Sequence, residues 1–300
     1  MALTKEQLQA RKIGGSDVAT ILGLNPYKTA YELWGEMTGV IERVNLDDND
    51  AVAAGNIFED AIGQFYAHKR GKAEGCEIKL RKSNVTLTHP KYKWLTGHID
   101  RSIAGEKRGL EIKNVHWRLG HLWGKQGSDE VAEYYLPQPH TYMLILDYPL
   151  WDVAAYFGGS DIRIYTVQRD PEFDEIIINT THDFWYENVL KGIPPELDYA
   201  SGQALEALKR FYPGTDGTTI QSEDSLLPWV EVMNQAKEKV SQYEKAADIA
   251  KAHILEFMGN AAVLQLPNGN QFTRKLTTRK AYTVEENSYI DFRFKKSKGD

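Results

Sequence analysis

The chain has 300 residues, a formal net charge of −6 at pH 7 and a single cysteine, Cys76. This length allows one large domain, or a domain with an appendage, built around a substantial core. One cysteine excludes a disulfide framework and a cysteine-based zinc site. The first residues lack the apolar stretch of a secretory signal, and no run of about eighteen apolar residues follows, so we expect a soluble, cytoplasmic protein.

Positive charge is concentrated in the middle of the chain. Between Lys69 and Lys125 there are fourteen Lys and Arg residues against five Asp and Glu. A basic field around a few carboxylates suits a substrate with a phosphate backbone. The same charges can also be divided among several faces, so this pattern supports that substrate class without establishing it.

The N-terminal region predicts two short helices separated by a glycine turn. The first starts with Thr4 as its N-cap, and the second starts after Gly14-Gly15 with Ser16 as its N-cap and ends at Gly23. Backbone N–H groups at such a helix start, with Arg11 nearby, can hold a phosphate. A simple capping serine explains Ser16 equally well.

The next strong pattern is an amphipathic helix over residues 51–71. Its apolar face is predicted to contain Ala54, Ile57, Phe58, Ile62 and Phe65, with the acidic Glu59 beside it. Glu59 is either a solvated flanking residue or a metal ligand, and its spacing does not decide between them.

The segment from Thr96 to Asn114 predicts a β-hairpin around a polar turn at residues 106–109. Glu111 and Lys113 point to one face of their strand and Ile112 points to the other. With Asp100 across from them, the hairpin presents two carboxylates and one ammonium. Oxygen ligands of this kind suit Mg²⁺ or Mn²⁺, and the trio predicts metal-assisted phosphodiester hydrolysis. A surface hairpin with a weak cross-strand ion pair is the alternative.

A loop rich in Trp, His and Gly follows Asn114, and it is either a loop near this site or a packed aromatic loop. Next, Pro137 begins a helix on which Gln138 and Tyr142 share a face. Two strands follow, over residues 151–159 and 161–169, and then a helix that ends at Gly192. The two strands are predicted to extend the sheet that carries Asp100 and Glu111.

Pro194-Pro195 is the clearest break in the pattern, so we divide the chain into a core over residues 1–195 and a C-terminal appendage over residues 196–300. The appendage is predicted to hold a long helix at about 225–258, a hairpin at about 262–276 and a basic tail. The long helix carries a narrow apolar seam, which suits packing on the core or pairing with another subunit.

Four separated motifs together resemble one family. They are IGGSD at 13–17, GNIFE at 55–59, GHID with LEIK at 97–100 and 110–113, and LPQPHTYM at 136–143. In order and spacing they resemble the YqaJ-type viral recombinase nucleases, relatives of the phage lambda exonuclease within the PD-(D/E)XK superfamily. The resemblance covers roughly residues 10–165, and nothing after about 200 matches it.

The resemblance implies an α/β fold with a restriction-endonuclease-like core, in which helices flank a central mixed sheet. It also implies a metal-dependent exonuclease that degrades linear double-stranded DNA from 5′ to 3′ in phage-type recombination. It implies a ring-shaped homotrimer, a single-strand annealing partner, and a phage or prophage protein in a bacterial host. Its implied metal ligands are Asp100, Glu111, the Ile112 carbonyl and Glu59. Lys113 would position the attacking water, and Gln138, supported by Tyr142, would contact the scissile phosphate. Ser16 and Arg11 would bind the terminal phosphate of the DNA. His98 departs from the family pattern, in which a small residue stands at this position, and we expect it to contact phosphate.

Two other functions stay open at this stage. One is an endonuclease on the same core, although one cysteine argues against a Cas4-like enzyme with an iron–sulfur cluster. The other is an inactive DNA-binding module that has kept the fold.

Overall fold

The computed structural model describes residues 5–278, apart from the side chains of residues 5, 6 and 9. The predicted N-cap Thr4 and the predicted basic tail lie outside these residues. The contacts divide the chain into two units, residues 1–213 and residues 214–300. The helix at residues 204–211, which the sequence division assigned to the appendage, packs in the first unit.

The helices are α1 (Lys5–Ala10), α2 (Gly15–Ile21), α3 (Ala30–Thr38), α4 (Asp50–Glu74), α5 (Pro137–Leu146), α6 (Pro171–Asp183), α7 (Ala204–Phe211) and α8 (Leu227–Met258). The strands are β1 (Ile13–Gly14), β2 (Leu80–Arg81), β3 (Leu87–Thr88), β4 (Leu95–Gly97), β5 (Arg101–Ile103), β6 (Arg108–Asn114), β7 (Leu150–Tyr156), β8 (Ile162–Gln168), β9 (Val263–Gln265) and β10 (Gln271–Thr273). A 3₁₀ turn covers Trp117–Leu122, a second covers Glu133–Tyr135, and a π-helical turn covers Phe184–Val189.

A five-stranded mixed sheet in the order β2-β5-β6-β7-β8 forms the centre of the first unit. Strands β6 and β7 are parallel, whereas the other neighbouring pairs are antiparallel. A smaller sheet has the order β1-β4-β3. The predicted α/β class and the central mixed sheet flanked by helices are therefore confirmed.

The predicted hairpin is the pair β5–β6. Arg101 lies opposite Leu110 and Ser102 lies opposite Gly109, with the left-handed Gly105 in the turn at φ 86°. Continued by one residue, this register brings Asp100 across from Glu111. The pairing follows the prediction, but the predicted turn at 106–109 is wrong. The turn lies at residues 104–107, because Arg108 and Gly109 already pair in β6.

Helix α4 covers one face of the sheet. Its residues Ile62 and Tyr66 are buried together with Ile112 and Ala154 from the strands beneath. The predicted inward positions Ile57 and Phe58 are instead exposed, and packing on the sheet begins only at Ile62. Helical spacing identifies an apolar face, but the extent of the sheet decides which part of that face is covered.

The prediction of Ser16 as an N-cap is wrong. Helix α2 begins one residue earlier, at Gly15, and its N-cap is Gly14. The Gly14 N–H donates to Asp17 Oδ2 at 2.9 Å, so the carboxylate of Asp17 supplies the capping contact. Ser16 is an exposed residue of the first helical turn.

The second unit contains the long helix α8 and the antiparallel pair β9–β10, as predicted. Several apolar side chains of α8 are exposed in this single chain, among them Trp229, Val232, Val240, Tyr243 and Phe257. Across the described residues, no helix combines the length and the hydropathy that a membrane-spanning helix needs.

A buried polar network fixes α4 on the sheet. The carboxylate of Asp152 on β7 accepts hydrogen bonds from the Tyr66 hydroxyl at 2.5 Å and from Thr166 Oγ1 at 2.8 Å. Arg70 donates to the Tyr66 hydroxyl at 3.1 Å. Because Asp152 is buried, loss of one donor leaves its charge less compensated.

We therefore expect Tyr66→Phe to lower the free energy of unfolding by about 1–3 kcal/mol. The control is Tyr156→Phe, which removes an exposed hydroxyl that donates to the Gly159 carbonyl at 3.2 Å. That variant should change stability by less than about 0.5 kcal/mol. Urea unfolding measures both, and equal effects would contradict a structural role for the buried network.

Candidate active site

Strand alternation brings Glu111 and Lys113 together on one face of β6. The Lys113 ammonium lies 2.6 Å from Glu111 Oε1. The Ile112 side chain points to the opposite face and packs in the cluster under α4. The acidic and basic side chains therefore share the face of the sheet that lies away from α4.

Asp100 joins this pair through the backbone of β6. It directly precedes β5, and its Oδ2 accepts a hydrogen bond from the Ile112 N–H at 2.7 Å. This contact holds the carboxylate of Asp100 across the strand from Glu111. The convergence of Asp100, Glu111 and Lys113 predicted from sequence is thus observed at one location.

Gln138 completes the environment of Lys113 from the first turn of α5. Lys113 Nζ donates to Gln138 Oε1 at 3.0 Å, and Gln138 Nε2 donates to the Tyr142 hydroxyl at 2.9 Å. The ammonium also lies 4.9 Å from the centroid of the Tyr135 ring, a cation–π contact. These contacts fix the lysine with its charge directed into the site.

Two glycines allow Tyr142 to reach this position. A Cβ atom at Gly15 or at Gly97 would lie 2.5 Å from the Tyr142 ring, closer than atoms can approach. Gly15 of the IGGSD motif and Gly97 of the GHID motif therefore leave the space that the Tyr142 ring occupies, and Tyr142 in turn accepts the hydrogen bond from Gln138. Three motifs that are distant in sequence form one packed unit around Lys113.

Burial changes the protonation of both acids. Glu111 is only 2% exposed, and burial raises its pKa to about 8, although the ammonium of Lys113 opposes this shift. Burial also raises the pKa of Asp100, against the effects of Lys113 and of the Ile112 N–H. The negative charge of Glu59 raises the pKa of both acids further, and the negative charge of Asp100 raises the pKa of Glu111.

The donor set fits a divalent cation with few protein ligands. Glu111 Oε2 is buried and has no hydrogen-bond partner among the described residues. A bound cation would supply the missing partner for this oxygen. Within residues 5–278, no group of three or more His, Cys, Asp or Glu side chains is arranged to hold a metal ion. Mg²⁺ commonly uses one or two carboxylates together with waters and substrate phosphate, so Asp100 and Glu111 match its requirements.

Glu59 lies at the margin of the site and is held by cations. Arg101 Nη1 donates to Glu59 Oε1 at 2.6 Å and to the Asp100 carbonyl at 2.5 Å. Lys82 lies 3.3 Å from the same carboxylate. Arg101 also pairs with Asp60. The role of Glu59 as a metal ligand stays a prediction, because the ion pairs with Arg101 and Lys82 already compensate its charge.

The other predicted substrate-binding residues are dispersed. Arg11 donates to the Glu36 carbonyl at 2.5 Å and lines a cavity of about 600 Å³ that Lys12 and Arg43 also line. His98 is exposed, and its Nε2 lies 2.7 Å from Thr86 Oγ1. Their contacts with DNA stay predictions.

Sequence reasoning missed two residues that organise the site. Arg101 joins α4 to the Asp100 backbone, and Tyr135 lies against the ammonium of Lys113. Arg101 directly follows Asp100, but its partner Glu59 is 42 positions away in sequence. Only the packing of α4 beside β5 brings the two together.

The raised pKa of Glu111 predicts the pH dependence of stability without metal. The pKa of Glu111 is 4.5 in the unfolded chain and about 8 in the folded protein. At a pH between these two values, the folded state binds more protons than the unfolded state. The free energy of unfolding therefore falls as pH rises through this window. Glu111→Gln should remove this fall. Its free energy of unfolding, relative to that of the wild type, should therefore increase by about 2–4 kcal/mol when the pH is raised from 5 to 8.5.

Urea unfolding in EDTA at both pH values measures this difference. The control is Glu175→Gln, which changes an exposed residue of α6 and should follow the wild type. If the stability of Glu111→Gln keeps a constant offset from the wild type at both pH values, Glu111 does not take up a proton on folding.

Comparison with known proteins agrees with the motif resemblance. The model of the YqaJ-like viral recombinase domain matches residues 6–149. The chain is 30% identical to the uncharacterized protein YqaJ of Bacillus subtilis over 265 residues, covering 84% of this chain and 80% of that protein.

Two solved structures show weaker likeness. One is an alkaline exonuclease from Laribacter hongkongensis, with 18% identity, a TM-score of 0.47, and 63% of this chain and 93% of that one covered. The other is a phage-related exonuclease from Haemophilus somnus, with 15% identity, a TM-score of 0.45, and 61% and 95% covered. Both TM-scores are too low to assign an activity. The sequence matches are sufficient, and the chain belongs to the YqaJ-like viral recombinase family.

Proposed function

We propose that this protein is a metal-dependent deoxyribonuclease that removes nucleotides from the ends of linear double-stranded DNA, from 5′ to 3′. The observation that carries the proposal is the convergence of Asp100, Glu111, Lys113 and Gln138, where one buried oxygen of Glu111 has no hydrogen-bond partner within residues 5–278. Acids whose pKa values are raised by burial beside a lysine are typical of catalytic sites. Family membership supports a role in phage-type recombination.

Asp100 and Glu111 would hold Mg²⁺ or Mn²⁺, with the Ile112 carbonyl and Glu59 as further predicted ligands. When bound, the metal stabilises charge on the phosphate and lowers the pKa of a coordinated water. The fixed hydrogen bond from the Ile112 N–H to Asp100 keeps that carboxylate oriented before metal or DNA arrives. Such preorganisation reduces the rearrangement needed at the moment of reaction.

Lys113 would position the attacking water and offset the negative charge that develops on the phosphate. Its contacts with Glu111 and Gln138 account for two of its three ammonium hydrogens among the described residues. The third is directed to a water or a phosphate oxygen in our proposal. Gln138, held by Tyr142, would contact the scissile phosphate through a neutral amide, which adds no charge.

Further parts of the proposal derive from the family resemblance. Ser16 on the first turn of α2, Arg11 and His98 would contact DNA phosphates, with Ser16 and Arg11 at the terminal phosphate. A homotrimeric ring around the DNA, a single-strand annealing partner and action in the cytoplasm of a bacterial host also remain predictions.

The first test removes the metal ligands. Asp100→Asn and Glu111→Gln should each lower the rate of Mg²⁺-dependent degradation of linear duplex by about 10³-fold or more, because each deletes a charge that holds the metal. Duplex binding, measured by fluorescence anisotropy in EDTA, should stay within a few-fold of the wild type. Glu175→Gln on the exposed face of α6 serves as the control and should retain full activity.

Degradation in both ligand variants at the wild-type rate would remove the site assignment. The same assay separates the two nuclease alternatives. An exonuclease leaves covalently closed circles intact, whereas an endonuclease nicks them. A wild-type protein that binds duplex but degrades neither substrate would support the inactive DNA-binding module.

A second test isolates the role of Lys113. Lys113→Met keeps the aliphatic length but removes the donors, so we expect turnover to fall by roughly 10²- to 10³-fold. The affinity for Mn²⁺, measured by calorimetry, should change only a few-fold, since lysine is not a metal ligand. Lys209→Met, which changes an exposed lysine of α7, is the control. Loss of Mn²⁺ binding in Lys113→Met would show instead that the lysine maintains the structure of the site.

A further inference from the structure

Trp117 differs from most tryptophans of this protein. Of the seven in the sequence, five are buried, whereas Trp117 is 67% exposed and Trp229 on α8 is 70% exposed. The contrast is sharpest within one loop, because Trp123 is only 6% exposed and packs against Tyr135, Phe157 and Tyr165. Trp123 therefore anchors the loop in the core, whereas packing does not explain the presence of a tryptophan at position 117.

The exposed indole is held on a fixed turn. The His116 side chain caps the 3₁₀ turn, with Nδ1 accepting from the Arg118 N–H at 3.3 Å, and the Leu119 N–H donates to the His116 carbonyl at 2.9 Å. His121 Nδ1 lies 2.8 Å from the Arg118 carbonyl. Since the backbone of this turn is already ordered, binding of a ligand to the indole costs little conformational entropy of the loop.

Two polar groups stack with the indole. The His116 ring lies 5.8 Å away at an interplanar angle of 27°, and the Arg118 guanidinium carbon lies 5.3 Å from the ring centroid. All three side chains are exposed. An aromatic face bordered by a guanidinium is the arrangement that binds a nucleobase and the phosphate next to it.

This surface adjoins the proposed catalytic residues. Trp117 follows Lys113 by four positions, a stretch that spans at most about 14 Å of extended chain. That length is about four base-pair rises of B-DNA. The other end of the turn is also attached to the site, because the Trp123 ring lies 5.5 Å from the Tyr135 ring that contacts Lys113.

The charge of the segment matches a nucleic acid. Residues 112–128 contain Lys113, Arg118 and Lys125 together with two histidines, and they contain no Asp or Glu. The nearest acidic residues in sequence are Glu111 and Asp129, outside this segment. An exposed tryptophan that met an apolar protein partner would not require these basic residues beside it. The charge therefore favours a polyanion with aromatic bases over a protein.

We propose that His116, Trp117 and Arg118 form a stacking platform for an unpaired base of single-stranded DNA next to the nuclease site. The choice of DNA rests on the proposed function. Stacking on an indole requires an unpaired base, since the faces of paired bases inside a duplex are covered by their neighbours. The platform would hold a base of the strand that cleavage leaves unpaired, or of a frayed end.

The experiment measures binding without cleavage. Fluorescein-labelled oligo(dT) and an abasic strand of the same length are titrated in EDTA and followed by anisotropy. The wild type should bind oligo(dT) more tightly than the abasic strand. Trp117→Ala should weaken binding of oligo(dT) by roughly 10-fold, the scale of one lost base–aromatic stack, and should leave binding of the abasic strand nearly unchanged.

Two controls make this result specific. Trp117→Phe keeps an aromatic face and should retain most of the affinity, and Trp229→Ala removes an equally exposed indole of α8 and should behave as the wild type. The losses of affinity caused by removing the bases and by removing the indole should not add in Trp117→Ala with the abasic strand, because both changes remove the same contact. Equal affinity of wild type and Trp117→Ala for oligo(dT) would overturn the platform and leave a protein partner as the alternative occupant.

The platform and the proposed function fail separately. If the wild type degrades linear duplex but Trp117→Ala shows no selective loss for oligo(dT), only the platform is wrong. If oligo(dT) binding depends on Trp117 but no Mg²⁺-dependent degradation occurs, the platform stands and the nuclease assignment is wrong.

Discussion

The buried ion pair between Glu111 and Lys113 is the contact on which the site depends. A carboxylate with almost no solvent exposure is stable in its charged form only beside a cation. Lys113 supplies one positive charge, yet the pKa of Glu111 is still raised to about 8 and its second oxygen has no partner among the described residues. A divalent cation bound at this point would stabilise the charged form of Glu111 and would give its second oxygen a partner.

The surrounding fold keeps this pair in place. On one face of the sheet, Ile112 packs under α4, and the network of Tyr66 and Asp152 fixes that helix. On the other face, Tyr142 reaches Gln138 only because Gly15 and Gly97 carry no side chain. The glycines thus affect the chemistry without contacting any reacting group, since they determine where the amide beside Lys113 can lie.

The proposed platform extends the same strand toward the substrate. Strand β6 carries Glu111 and Lys113, and the chain then turns at Val115, which is buried, to present His116, Trp117 and Arg118. A metal site that cleaves and an aromatic surface that retains an unpaired base would thereby be joined by a few residues of rigid backbone. That connection gives a physical reason for an ordered loop with an exposed indole.

The sequence by itself determined the hairpin with Asp100, Glu111 and Lys113, the helix with Gln138 and Tyr142, and the family, because each depends on local periodicity, turn chemistry or motif order. It did not place the start of α2, where Gly14 rather than Ser16 is the N-cap, since that position is set by the carboxylate of Asp17. Only the tertiary structure decided that Ile57 and Phe58 are exposed, that Arg101 holds Glu59, and that Tyr135 lies beside Lys113. These contacts join residues far apart in sequence, and no local pattern encodes where a helix ends against a sheet.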